Sequence, residues 1–75
     1  KIDLTKNEYR ILQLLMENKG RIVSRESLMN RLWETDSYVD ENTLTVNVTR
    51  LRKKLEKSGL ENFIATKVGM GYIIE

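Results

Sequence analysis

Two residue types that often carry chemistry are missing from this sequence, which has no cysteine and no histidine. Without cysteine, neither a disulfide framework nor a thiolate metal site can form. Without histidine, the chain lacks the usual general base and a common transition-metal ligand. The acidic residues stand singly, and no spacing pairs two of them. We therefore expect no catalytic centre, no metal site and no cofactor.

Long apolar segments are lacking too. No apolar run exceeds three residues, whereas a membrane span needs roughly 20, and no signal peptide is recognisable. These absences favour a cytosolic protein without membrane contact. With 75 residues, of which 40% are apolar, the chain suffices for one small domain with a modest core. We expect that domain to span residues 1–75.

The net charge is only +2, but the charged residues are unevenly distributed. Residues 36–49 contain three acids and no base, whereas residues 50–67 contain six bases and two acids. Clustered positive charge is typical of proteins that bind a polyanion such as a nucleic acid. A solvated helix face would carry the same charges, so this observation alone leaves both interpretations open.

The first half of the chain carries signals for two helices. A capping-box pattern at Thr5 and Glu8, an apolar stripe and then Gly20 predict a helix over residues 6–18. The segment IDLT before it is typical of the end of a strand. After the short extended piece RIV, Ser24 is expected to cap a second helix. The inner face of that helix is predicted to comprise Leu28, Met29, Leu32 and Trp33.

The segment NTLTVNVTRLRKKLEK, residues 42–57, mixes a strand pattern with a helix pattern. Its first half alternates polar and β-branched residues, and its second half consists of strong helix formers. A strand would have to stop near Thr49, where no turn residue is present. In a helix, Leu44, Val48, Leu51 and Leu55 form one stripe, with Asp40 as the N-cap and Gly59 at the end. We therefore predict one helix over about residues 41–57.

The outer face of this third helix has an unusual composition. Val46 lies about 200° from Leu44 around the helix axis, and Thr45, Thr49, Arg50 and Lys53 share its side. Small β-branched side chains let a helix approach base edges closely, and a methyl group matches that of thymine. Arg50 suits bidentate contact with guanine. Alternatively, Val46 packs against another element of the fold.

The segment NFIATKVGMGYIIE predicts a β-hairpin with strands at residues 63–67 and 72–75. Gly69 and Gly71 supply positive φ angles for its turn. The Gly-Met-Gly sequence lacks the strand-to-helix setting of a nucleotide-binding loop, so turn geometry explains both glycines.

Three helices followed by a hairpin give a helix-turn-helix core with a wing. Four segments resemble, in the right order and spacing, the winged-helix output domains of OmpR/PhoB-type response regulators: LTKNEYRILQLLMENKG, VSRESLMNRLW, DENTLTVNVTRLRKKLE and VGMGYII. The branch that they resemble most is that of Gram-positive regulators of resistance to peptide antibiotics. The resemblance runs across the whole chain. It implies a mainly α fold with a small β component, a winged helix-turn-helix whose N-terminal β-platform is largely missing and whose receiver domain is absent.

The resemblance also implies which residues contact double-stranded DNA, with the third helix in the major groove. Those implied to face bases are Thr45, Val46, Thr49 and Arg50. Those implied to contact or neighbour phosphates are Trp33, Asn42, Thr43, Asn47, Arg52, Lys53, Lys54 and Tyr72.

The wing departs from the family pattern. An arginine usually precedes Gly-x-Gly-Tyr and reaches the minor groove, but Val68 stands there and the nearest base is Lys67. Asn42 and Thr49 also occupy positions that are basic in the family. We therefore expect weaker minor-groove readout, with Lys67 acting through charge alone.

The resemblance implies several partners. The loop after the second helix resembles one that meets RNA polymerase, with Glu34, Asp36, Ser37 and Tyr38 facing it; an ordinary solvated loop is the alternative. Two copies are expected to bind promoter direct repeats in tandem. In the full-length bacterial cytoplasmic protein, a sensor histidine kinase and receiver-mediated homodimerisation are implied.

Two other classes of function compete with sequence-specific DNA binding. In a protein-interaction module, Val46 would belong to a hydrophobic contact. The bases at Arg50, Lys53 and Lys54 argue against it, because charged residues are depleted at interface cores. An enzyme would need a constellation of polar residues that this sequence does not supply.

Overall fold

The helices and the hairpin predicted from the sequence are present in the computed structural model, which describes residues 2–34 and 38–75. The elements follow in the order α1 (Lys6–Glu17), β1 (Val23–Ser24), α2 (Arg25–Glu34), α3 (Glu41–Lys57), β2 (Ile64–Lys67) and β3 (Gly71–Ile74). Within these described ranges, no helix is both long and apolar enough to cross a membrane.

Helix α1 begins at the predicted capping box. The Glu8 N–H donates to Thr5 Oγ1 at 3.2 Å, and the Thr5 N–H donates to Glu8 Oε1 at 3.0 Å. The helix ends at Glu17, one residue before the predicted end. The expectation of a strand before it is wrong, because residues 2–5 adopt no regular structure. A strand requires a neighbour for its backbone hydrogen bonds, and no described strand pairs with this segment.

Helix α3 spans the predicted residues, so periodicity outweighs β propensity here. Asp40 is its N-cap and accepts the Thr43 N–H at 2.8 Å. This hydrogen bond holds the pKa of the Asp40 carboxyl below its ordinary value. All four residues of the predicted stripe are buried: Leu44, Val48, Leu51 and Leu55. They join α1, α2 and the sheet in one core, which fixes the opposite side of α3 as the solvent-facing side.

The sheet has one strand more than the predicted hairpin. The short segment β1 pairs antiparallel with β3, so that the strand order is β1-β3-β2. Gly71 has φ +153°, and a Cβ there would overlap the carbonyl oxygen of Val23. Gly69 (φ +76°) alone serves the turn itself, whereas Gly71 lies in β3 and allows β1 to approach.

The predicted inner face of α2 is only partly correct. Leu28 and Leu32 are fully buried, and Met29 packs against the core from its edge. Trp33 instead remains 45% exposed, with its Nε1–H donating to the Val39 carbonyl at 3.1 Å. Ser24 caps the helix as predicted, by accepting the Ser27 N–H at 3.0 Å.

Candidate nucleic-acid interface

The outer face of α3 is open to solvent and carries no acid between its first and last turns. Val46 is 45% exposed and lies outside the core cluster, so the alternative in which it packs on another element is not supported. The residues that share this exposed face are Asn42, Thr43, Thr45, Thr49, Arg50 and Lys53. Small side chains thus lie beside free positive charge on one surface.

The six basic residues in the range 50–67 separate into two groups. Arg50, Lys53 and Lys57 are exposed and have no hydrogen-bond or ion-pair partner among the described residues. The other three bind within the protein: Arg52, Lys54 and Lys67. The charge cluster of the sequence is therefore only half available to a ligand, and Lys57 is an available base that the sequence analysis did not select.

Lys54 faces α1 and not the open side of α3. Its Nζ donates to Glu8 Oε1 at 2.6 Å and to the Asp3 carbonyl at 2.9 Å. Glu8 is 1% exposed, and burial alone would raise its pKa. The hydrogen bonds from Lys54 and Thr5 together with the Lys54 charge outweigh burial, so that the pKa of Glu8 lies below its ordinary value. This geometry directs the Lys54 ammonium at α1, where its charge is shared with Glu8.

Three further residues expected at phosphates are engaged inside the fold. Asn47 is 7% exposed, and its Nδ2 donates to the Thr43 carbonyl at 2.8 Å. Half-buried Arg52 donates from Nη2 to Thr66 Oγ1 at 2.7 Å, joining α3 to β2. Tyr72 is 4% exposed, so its ring belongs to the sheet. Asn47 and Tyr72 therefore contribute little to the exposed surface around α3.

Arg25, at the start of α2, borders the open face of α3 and is not among the residues that the sequence predicts for it. Its Nη1 donates to the Tyr72 hydroxyl at 2.6 Å, and its Nη2 donates to the Glu41 carbonyl and to Thr45 Oγ1, both at 2.8 Å. The guanidinium thereby joins α2, α3 and β3. The Ser-Arg-Glu segment was read only as a helix start, because no local pattern reveals partners 16 to 47 residues away.

The wing tip is apolar. Val68 is 92% exposed and Met70 59% exposed, on either side of Gly69. The nearby base Lys67 is half-buried, and its Nζ lies 3.7 Å from Glu75 Oε2. Part of the positive charge expected at the wing is therefore compensated within the sheet.

An exposed aromatic pair joins the end of α2 to the loop that precedes α3. The rings of Trp33 and Tyr38 are stacked, with centroids 6.3 Å apart and planes at 9°. Tyr38 is 82% exposed, and Glu34 ends α2 as an exposed residue. Asp36 and Ser37, which were also expected to face a polymerase, lie outside the described residues.

A family model and a sequence relative show which kind of domain this chain is. The family model "Transcriptional regulatory protein, C terminal" matches residues 1–74. The sensory transduction protein BceR of Bacillus subtilis (strain 168) is 57% identical over 72 residues, which are 96% of this chain and 31% of that protein. The chain thus spans about a third of the length of that relative.

Two solved structures have the same fold as this chain. The C-terminal domain of the nisin resistance regulator NsrR, a lantibiotic response regulator, has a TM-score of 0.87 at 45% identity, over 97% of this chain and 74% of that one. The DNA-binding domain of the response regulator AdeR, solved in complex with an intercistronic region, has a TM-score of 0.86 at 30% identity, over 99% of this chain and 75% of that one.

Proposed function

We propose, from the premise that this chain belongs to the C-terminal DNA-binding output domains of OmpR/PhoB-family response regulators, that α3 reads base sequence in the major groove. The family acts in transcription regulation and its members are not enzymes. Within it, the chain lies in the Gram-positive antimicrobial-peptide resistance branch, with BceR and NsrR.

The observation that carries the proposal is the open, acid-free outer face of α3. A B-DNA major groove, about 12 Å wide, admits one helix. Val46 and Thr49 are short enough to let that helix approach the base edges, where their methyl groups match the methyl group of thymine. Arg50, exposed and without a partner in the described chain, has the planar donor pair that suits guanine O6 and N7.

Phosphate contacts would come from the residues at the margins of this face. Lys53 and Lys57 supply free charge, and Asn42 and Thr43 supply polar groups at the exposed first turn. The exposed edge of Trp33 lies before the loop that leads into α3. Neutralising phosphates with such bases releases counterions, so the affinity should fall steeply with salt.

The wing would lie beside the minor groove and contribute little base readout. Val68 at its tip has no donor for the acceptors of the groove, and the charge of Lys67 is shared with Glu75. We therefore assign the wing a positioning role along the backbone.

The remaining parts of the proposal concern assembly. Two copies would occupy direct-repeat half-sites about one helical turn apart. Tyr38, which is 82% exposed, would face RNA polymerase together with Glu34. In the full-length protein, a receiver domain would mediate dimerisation and receive phosphate from a sensor histidine kinase.

The experiment that tests this function is selection of bound duplexes from a random DNA pool at moderate salt. The expected result is enrichment of a short thymine-containing half-site, repeated head to tail at one-turn spacing. Weak, sequence-blind binding would contradict the reader role of α3. An interaction that survives high salt would then favour a protein partner that docks on Val46.

A further inference from the structure

The Arg25 guanidinium is held from two sides. Its Nη1 donates to the Tyr72 hydroxyl at 2.6 Å, and the charged carbon lies 5.8 Å from the centroid of the same ring. Tyr72 is buried and fixed by pairing on both sides, with Val23 of β1 and Thr66 of β2. The sheet therefore determines where the remaining donors of Arg25 can point.

Those donors reach the first turns of α3. Arg25 Nη2 donates to the Glu41 carbonyl and to Thr45 Oγ1, each at 2.8 Å. The Thr45 hydroxyl in turn donates its proton to the Glu41 carbonyl at 3.1 Å. Its only proton is thus used within the helix, and its oxygen already accepts a charged donor. The Thr45 side chain is exposed, so it can offer a ligand its methyl group and one remaining acceptor lone pair, but no donor.

We propose that Arg25 is a positioning residue that keeps the Thr45 hydroxyl engaged, so that Thr45 reads the methyl group of one thymine in each half-site. This inference rests on the proposed major-groove function of α3. A free threonine hydroxyl both donates and accepts and therefore bonds to several bases. Because the proton is held by the Glu41 carbonyl and one lone pair by Arg25, Thr45 cannot donate to a base, and its methyl acts with Val46 as an apolar reader.

Deoxyuridine provides a direct probe, because it differs from thymidine only by the missing 5-methyl group. Each thymine of the enriched half-site is replaced in turn by deoxyuridine, and the dissociation constant is measured by fluorescence anisotropy. At one thymine the wild-type chain is expected to bind about fourfold more weakly after replacement, which corresponds to one methyl group no longer buried.

A pair of Thr45 variants separates the methyl from the hydroxyl. Thr45→Val keeps a methyl and removes the hydroxyl, so it should retain the fourfold difference at that thymine. Thr45→Ser keeps the hydroxyl and removes the methyl, so the difference should vanish. Val46→Ala is the matched control, because it should change discrimination at a neighbouring thymine only.

The role of Arg25 is tested by the ratio of the affinities for the thymine and the deoxyuridine duplexes. Arg25→Met keeps an unbranched apolar stem and removes all donors, so the Thr45 hydroxyl keeps only its bond to the Glu41 carbonyl and can turn toward a base. The ratio of thymine to deoxyuridine affinity should then fall toward one. Tyr72→Phe keeps the buried ring and removes one acceptor, and should lower the ratio less. Circular dichroism confirms that each variant is folded. If Arg25→Met weakens all duplexes alike and leaves the ratio unchanged, Arg25 contacts phosphate and the positioning role is overturned.

The outcomes distinguish this inference from the proposed function. If selection enriches no duplex, both fail together. If a specific half-site is enriched but contains no thymine whose replacement matters, or if Thr45→Ser retains the difference, the inference fails and major-groove reading by α3 stands.

Discussion

The Lys54 ammonium lies 2.6 Å from Glu8 Oε1, so one basic residue of α3 is directed at α1 and away from the open face. Lys53, its neighbour in sequence, is exposed and has no partner in the described chain. Adjacent lysines on one helix therefore serve different ends: Lys54 holds the fold together, and Lys53 is free to meet a phosphate.

This difference can be measured as a salt dependence. Lys53→Ala should weaken binding to all duplexes alike and reduce the slope of log K against log salt by about 0.9, the value for one phosphate contact. Lys54→Met should leave the slope unchanged and lower the melting temperature. Equal loss of slope in both variants would contradict the internal role of Lys54.

Arg50→Ala should relax the preference for one base pair. The loss of a bidentate contact to guanine costs roughly 1–3 kcal/mol of discrimination. The measurement is the ratio of affinities for the selected half-site and for sites mutated one position at a time. An Arg50→Ala variant with the wild-type ratio at every position would remove Arg50 from the reading surface.

The pH dependence of stability should report the ion pair between buried Glu8 and partly exposed Lys54. The pKa of Glu8 is lowered in the folded state, so the unfolded chain binds more protons on acidification. The contribution of Glu8 to the free energy of unfolding is therefore complete above pH 4.5, the ordinary pKa of glutamate. It is lost as the pH falls through the lower pKa that Glu8 has in the folded state.

Glu8→Gln keeps the capping box, since glutamine also serves at that position, and removes the charge. It should cost about 1–3 kcal/mol of unfolding free energy at pH 7, because Lys54 is partly exposed and the full penalty of a broken buried pair does not apply. Urea denaturation at several pH values checks this. A variant with the same acid dependence as the wild type would show that Glu8 is not its source.

Gly71→Ala should destabilise the protein more than Gly69→Ala. A Cβ at position 71 would overlap the Val23 carbonyl, whereas position 69 has open space around it. Both substitutions force a non-glycine residue into positive φ, +76° at Gly69 and +153° at Gly71, which costs about 1 kcal/mol or more at each. The overlap with Val23 adds to that cost at Gly71 alone. Comparable denaturation midpoints would argue against a close β1–β3 pairing.

Val68→Arg should strengthen DNA binding by adding a minor-groove contact. Val68 is 92% exposed at the wing tip, so the change should leave stability unaltered. We expect a salt slope steeper by about 0.9 and a new preference for narrow, A·T-rich minor grooves beside the half-site. Val68→Gln is the neutral control of similar length. No change in slope with arginine would indicate that the wing tip does not approach DNA.

The secondary structure was largely predictable from sequence because its determinants are local. Thr5 with Glu8, and Asp40 with Thr43, are three residues apart and act as caps wherever the chain folds into a helix. The stripe of α3 repeats at helical spacing, and the same periodicity that buries Leu44 exposes Val46 on the other side. The exposed face of α3 therefore followed from the sequence.

Tertiary structure decided which of the charged and polar residues remain free to contact DNA. Lys54 is hydrogen-bonded to Glu8, 46 residues away in sequence, and Arg25 to Tyr72, 47 residues away. No local sequence pattern therefore predicts either pair. The third strand was equally hidden, because β1 is too short to be recognised before β3 supplies its partner. Sequence by itself determined the elements and their outward faces, since periodicity and capping act within a few residues. Only the packed fold determined which basic residues are hydrogen-bonded within the protein, because their partners come from distant segments.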